Sequence, residues 1–493
     1  MARPFQKWHF FVLGIFLVYI EPIFYLLAGD DIGGALWPHA YRTLIWTSWL
    51  REYKQMVFVI LLLSTALSYL FMKKQSRWKI PISITILGSL SGLITIFYLL
   101  DFAYFRGAFL LLPTVYGFLL LILILNSIPE FKINLNMIGV IFAIWLISPG
   151  LSAITGLAPS PSPADEVSMG EFEVRTSVHP YPMPDEVESV RGEIEADIEF
   201  SIYLTQPENY DKEMPLAIII HGFANPGFST YEDWAGHLAS RGMMVAFLQY
   251  PSDVQPPGWD TYSLVEQDGM SNHPFHIPRA MALEAALNYL PSLLDSKVNT
   301  DHLYIGGHSL GAGYALLMMD KTIEMGWGNS SLFIDLEQPY ARPVHDHLQL
   351  NSTIPDNFIA HIALSEDDMS VNDCFGVEHQ KTLGDGALLM RIPSDRYGFP
   401  RMVASHYLPA AETHDTLADW GFYRRIDNQA DWIMAQTNSD AQSVEESYLK
   451  LIDSADLRDM GQWSDGTPVN KITTWDQAIT SPEFEHCQSW VGP

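Results

Sequence analysis

Cysteine is almost missing from this chain: there are two in 493 residues, Cys374 and Cys487. So low a count excludes a disulfide framework and a cysteine-rich metal site, and it leaves room for a single bridge. Basic residues are also scarce, with 28 Lys+Arg against 57 Asp+Glu and a net charge of −29. Nucleic-acid binding needs clustered Lys and Arg against phosphates, so that class is excluded too. No internal repeat is present, which removes solenoids and propellers. The deficit of positive charge is uneven. Residues 1–156 hold 11 Lys+Arg and 6 Asp+Glu, a net of +5, whereas the rest holds 17 and 51, a net of −34. An acidic surface of that kind stays soluble through hydration and self-repulsion.

Long apolar runs are plentiful in the front part. Five stretches, near 8–28, 55–72, 80–100, 107–126 and 135–156, approach the roughly 20 residues that a bilayer-crossing helix needs. The expectation is an all-α, multi-span transmembrane region of about five helices over residues 1–156, embedded in a lipid bilayer. Lys and Arg in the flanking loops divide seven to four in favour of an inside N-terminus, which places the acidic part outside the cytoplasm as part of a multi-pass protein of the cell membrane. The sequons at Asn329 and Asn351 agree with that placement. Glu21 and Asp101 fall near predicted span ends and read as interfacial carboxylates.

Residues 157–168, rich in Pro, Ser and acid, read as a stiff linker. From 169 to 439 strands and helices alternate, which predicts an α/β fold with a mostly parallel, doubly wound sheet. Glu171–Val178 and Glu193–Tyr203 alternate apolar and polar residues. Leu216–Ile220 is a continuous apolar run suited to a strand buried on both faces. Met243–Gln249, His302–Ile305, Leu332–Leu336, Phe358–Leu364 and Ala387–Ile392 are further strands; Tyr231–Arg241, Pro278–Tyr289, Tyr314–Met325 and Asp415–Ile433 are helices. Pro251–Pro278 reads as a lid or a surface connection. The tail 440–493 has no assigned role; it is a candidate to cover a sheet edge.

The chemistry concentrates at Gly307-His308-Ser309-Leu310-Gly311. A G-x-S-x-G pentapeptide between a strand and a helix makes a tight turn that lifts the serine above the sheet, and side chains at Gly307 and Gly311 would strike neighbouring backbone. A serine hydroxyl needs a base, and the base needs an orienting acid. Asp368 stands three residues before Val371 after Phe358–Leu364, with Asp367 as the alternative acid. His406 follows the last strand in a short loop, with His414 as the alternative base. His379 comes too early and His486 lies in the tail. The amides of Leu310 and Phe223 are the candidate oxyanion donors, and His221 is expected to fix their loop. His345-Asp346-His347 and His273-x-x-His276 lack a recognisable ligand set, so neither a metal nor a cofactor is expected.

Taken together, Pro215–Phe223, His237–Gly242, Tyr304–Gly313, Asp368 and His406 resemble the α/β-hydrolase superfamily. The likeness is to the dienelactone hydrolase, chlorophyllase, cutinase and platelet-activating-factor acetylhydrolase group, over roughly residues 170–435. It implies an α/β-hydrolase fold, a catalytic serine, acid and histidine at Ser309, Asp368 and His406, and oxyanion amides at Phe223 and Leu310. The implied activity is a carboxylic ester hydrolase acting through an acyl-enzyme on Ser309. Its substrate is a small-molecule ester or a lipid ester; the oligomeric state is not readable. A peptidase or amidase, an acyltransferase and a non-catalytic membrane sensor with a vestigial hydrolase domain are the competing readings.

Overall fold

The computed structural model describes residues 159–491 apart from 165–166, 257–273, 341, 344–348, 369, 396 and 398–401, with eight scattered positions between His9 and Leu27. The described residues fall into two units. The smaller contains Ser394–Val403 and Gln462–Pro468; within it Pro161 bridges Trp463 and Asp395 bridges Met402. The larger unit carries the whole sheet.

Nine strands form that sheet: β1 (Val174–Pro180), β2 (Ser201–Pro207), β3 (Met214–Ile220), β4 (Met244–Leu248), β5 (Val298–His308), β6 (Ser331–Glu337), β7 (Phe358–Ser365), β8 (Ala387–Ile392) and β9 (Thr473–Trp475). Their spatial order is β1-β2-β4-β3-β5-β6-β7-β8-β9. The six strands from β4 to β8 run parallel. Antiparallel pairs close the two edges, β1 and β2 at one and β9 at the other. Parallel strands need covered faces, and every residue of β3, β4 and β6 is buried.

The helices α1 (Phe228–Ser240), α2 (His276–Tyr289), α3 (Leu310–Glu324), α4 (Asp373–Leu383), α5 (Arg424–Thr437), α6 (Ala441–Leu451) and α7 (Glu485–Val491) supply that cover. Strand side chains alternate between faces. Leu216, Ile218, Ile220, Leu303, Ile305, Leu332, Ile334 and Ile362 point to one core with Leu283, Leu287, Leu316 and Val377 from α2, α3 and α4. On the opposite face aromatic rings do the packing: Tyr231 and Phe247, Trp234 and Phe422, and Phe333 and Trp432 pair there. Helix α1 stops because Gly242 takes φ +113° just past its end, a conformation that side chains resist.

One observation overturns part of the sequence reading. Among the described residues no helix is long and apolar enough to cross a membrane. The longest, α3, has 15 residues, about 22 Å at 1.5 Å per residue against a hydrocarbon core of about 30 Å. The stretches at 55–72, 80–100, 107–126 and 135–156, with Glu21 and Asp101, lie outside the described residues, as does the stretch at 8–28 apart from those eight scattered positions. The fold class is therefore corrected from an all-α transmembrane region followed by an α/β domain to an α/β architecture with a nine-stranded mixed sheet. The multi-pass cell-membrane localisation is withdrawn with it. His273 and the His345-Asp346-His347 cluster are also outside the described residues, as is most of Pro251–Pro278.

The tail packs on the sheet. Its β9 pairs with β8, and Cys487 on α7 is disulfide-bonded to Cys374 on α4.

Candidate active site

Strand order reverses beside β3: the chain steps from β3 to β4 on one side, then crosses to β5 on the other. In open parallel sheets a crevice opens at the carboxyl ends of strands flanking such a reversal. The loop after β3 is His221–Ala224, and the residue after β5 is Ser309.

Ser309 links β5 directly to α3 with φ 55° and ψ −121°, a backbone state that costs a non-glycine residue on the order of 1–3 kcal/mol. The surroundings hold it there. Ser309 N–H donates to the Glu337 carbonyl at 2.8 Å, and Tyr340 N–H donates to the Ser309 carbonyl at 2.9 Å. The flanking glycines permit close approach of three backbone segments. A Cβ on Gly307 would lie 2.5 Å from the Gly311 carbonyl oxygen, and one on Gly311 would lie 2.3 Å from the Ile220 carbonyl oxygen. Ser309 is only 8% exposed.

The Ser309 hydroxyl donates to His406 Nε2 at 2.9 Å. His406 Nδ1 bonds to Asp368 Oδ2 at 2.7 Å. A carboxylate only accepts, so Nδ1 carries the proton and Nε2 is free to accept from the serine. Asp368 is anchored in turn, its Oδ1 accepting from Ser370 N–H at 2.7 Å and Val371 N–H at 3.1 Å. Ser309, His406 and Asp368 thus form one hydrogen-bonded chain.

No protein-family model matches the chain. No curated protein matches it either. The site therefore stands on its geometry.

The alternatives are placed elsewhere. His414 sits between Asp233 and Asp419, each 2.8 Å from one ring nitrogen. Burial opposes its charge, yet the two carboxylates prevail and raise its pKa to about 9, so it is a cation near neutral pH and not a base for Ser309. The carboxylate bonded to His406 Nδ1 is that of Asp368 and not of Asp367, and His379 bonds back to the Phe375 carbonyl within α4. Among the described residues only Cys374, His486 and Cys487 cluster like metal ligands, and both sulfurs are spent in the disulfide.

The candidate oxyanion donors, the amides of Leu310 and Phe223, belong to segments next to Ser309. Leu310 opens α3, where the positive end of the helix dipole lies. Gly222 precedes Phe223 and packs so closely on Ser309 that a Cβ on it would lie 3.1 Å from Ser309 Cβ. His221 is fully buried and fixes this loop. Its Nδ1–H donates to the Gly222 carbonyl at 2.8 Å and its Nε2 accepts from Tyr250 N–H at 3.1 Å; burial lowers its pKa to about 4, so it stays neutral.

Other braces had no legible sequence signal. Ala224 holds φ 51° while its N–H donates to Ser252 Oγ at 2.7 Å. Ser252 is gripped by buried Glu195 through its N–H and hydroxyl. Arg279 Nε–H donates to the Ser252 carbonyl at 2.8 Å, and its guanidinium lies 5.7 Å from the Phe223 ring centroid. Tyr231 and His308 are buried as well, with Tyr231 Oη 2.9 Å from His308 Nδ1.

Proposed function

We propose that the protein is a serine hydrolase that cleaves carboxylic esters through an acyl-enzyme on Ser309. The observation that carries this reading is the chain Ser309 Oγ–His406 Nε2–Asp368 at 2.9 and 2.7 Å, set on a strained strand-to-helix turn. Supporting it are the position beside the strand-order reversal, the helix start at Leu310 directly after Ser309, the close approach of Gly222 to Ser309, and the resemblance to α/β-hydrolases over residues 170–435. Strain at a turn of this kind keeps the hydroxyl above the sheet and beside its base.

In the proposed reaction Ser309 Oγ attacks the ester carbonyl carbon as His406 Nε2 takes its proton. The carbonyl oxygen becomes an oxyanion between the amides of Phe223 and Leu310, each donor of this kind contributing about 10²–10³ in rate. As the tetrahedral centre collapses, the alkoxy C–O bond breaks and His406 gives its proton to the departing alcohol. Water then attacks the acyl-enzyme, losing a proton to His406; the bond between Ser309 Oγ and the acyl carbon breaks, His406 returns the proton to Ser309 Oγ, and the acid leaves. Asp368 keeps the imidazole in the accepting tautomer and offsets its transient charge.

The test is turnover of p-nitrophenyl esters of increasing acyl length by wild type and Ser309→Ala. Turnover that disappears in Ser309→Ala supports the reading. A folded wild type without turnover on every ester counts against it.

A further inference from the structure

We propose that His308 is a positioning residue for this reaction, the central link of a buried chain Gly222–Tyr231–His308–His406 that holds the oxyanion loop and the base loop in register with Ser309. The inference rests on the serine-hydrolase reading above.

His308 fills the variable position before the nucleophile, where the pentapeptide motif asks for nothing in particular. Its Nε2 lies 2.8 Å from the backbone carbonyl of His406. A carbonyl only accepts, so Nε2 carries the proton. Its Nδ1 lies 2.9 Å from Tyr231 Oη, and Tyr231 Oη lies 3.0 Å from Gly222 N. With His308 neutral the directions are determined: Gly222 N–H donates to Tyr231, Tyr231 O–H donates to His308 Nδ1, and His308 Nε2–H donates to the His406 carbonyl. Burial and the neighbouring His406 hold the His308 pKa well below its ordinary value, which keeps it neutral.

The consequence is mechanical. His406 lies in an irregular loop, and the bond from His308 ties its own backbone to the nucleophile turn. Gly222 lies one residue before Phe223, and the bond to Tyr231 ties the oxyanion loop to the same turn. Tyr231 belongs to α1, so a rigid helix anchors both loops. Misplacing a base or an oxyanion donor by about 1 Å can cost about 10²-fold in rate. Neutrality also matters because the His308 and His406 rings are 4.8 Å apart between centroids, and a second cation there would oppose the imidazolium that His406 becomes.

Two conservative variants separate the link to His406 from mere packing. Gln places its amide N–H the same number of bonds from Cα as His Nε2–H and can reach the His406 carbonyl. Asn reaches only toward Tyr231. The experiment measures kcat, KM and melting temperature for wild type, His308→Gln, His308→Asn, Tyr231→Phe and the Tyr231→Phe/His308→Asn pair on p-nitrophenyl acetate. The expected result is a kcat loss of about 10–10²-fold in His308→Asn with KM little changed, substantial recovery in His308→Gln, and a double variant no worse than the weaker single. Equal kcat in the Gln and Asn variants, or losses that multiply in the double variant, overturns the proposal while leaving the hydrolase reading intact. An inactive, folded wild type overturns both.

Discussion

Asp368→Asn tests how the base is set. Asp368 Oδ1 accepts from two backbone amides, Ser370 at 2.7 Å and Val371 at 3.1 Å. In the variant only the side-chain oxygen can sit there, so the NH2 group turns to His406 Nδ1. That nitrogen must then accept, the ring proton moves to Nε2, and it points at Ser309 Oγ where an acceptor is required. Geometry survives and the base is lost. If Asp368 acted only as a counter-charge, the change would remove one charge-assisted hydrogen bond, about 1.5–3 kcal/mol or roughly 10–10²-fold. Inverting the tautomer predicts a far larger loss, about 10⁴-fold in kcat or about 5.5 kcal/mol, with KM little changed. The assay is steady-state hydrolysis of p-nitrophenyl acetate beside a thermal melt, with nitrogen NMR reporting the His406 tautomer. A folded Asp368→Asn variant within about tenfold of wild type would refute the tautomer inversion.

Three further outcomes are expected. Gly311→Ala places a methyl 2.3 Å from the Ile220 carbonyl oxygen and 2.4 Å from that of His221, so β3 or α3 must move; stability should fall by about 1–3 kcal/mol, with a kcat loss of about 10²-fold, both read by melts and turnover. The folded pKa of His414, about 9, exceeds its ordinary 6.5, so its contribution to stability is complete below pH 6.5 and disappears as pH rises through about 9. After discounting for the partial exposure of its partners that contribution is on the order of 1–2 kcal/mol. Urea midpoints across this range should fall in wild type and fall less in His414→Gln, and parallel curves would contradict the assignment. Replacing Cys374 and Cys487 together by Ser opens a link spanning 113 residues of sequence and should cost about 2–4 kcal/mol in urea unfolding, with kcat unchanged because α4 and α7 contribute nothing to the reacting centre.

Some of this was legible in the residues and some was not. The continuous run Leu216–Ile220 announces β3 because a strand buried on both faces admits no polar alternation. The expected strand at Glu193–Tyr203 is displaced to Ser201–Pro207: its alternation belongs partly to a turn in which Glu195 points inward to hold Ser252 and Asp253. Strand β5 runs past Ile305 to His308, although Gly306-Gly307 reads as a turn, because Trp234 packs where a Gly306 side chain would be. The amphipathic pattern over Asp415–Ile433 hides a wide π-helical turn at Asp419–Tyr423, since the pattern reports which face is apolar and not the local pitch. At the site, spacing to Val371 singles out Asp368 because the Val371 amide is one of its anchors. Nothing in the spacing reveals the links through Tyr231 and His308, which join residues up to 98 apart. The apolar stretches of residues 1–156 invite a membrane reading by composition alone, and no described helix carries one.

The most direct test of the central claim is covalent labelling of Ser309 by a fluorophosphonate, with the modified peptide located by mass spectrometry in wild type and Ser309→Ala. A single phosphonylated site at Ser309 is expected in wild type and none in Ser309→Ala, with concurrent loss of ester turnover. A folded wild type that stays unlabelled, or is labelled with equal efficiency at another serine in both proteins, would contradict it.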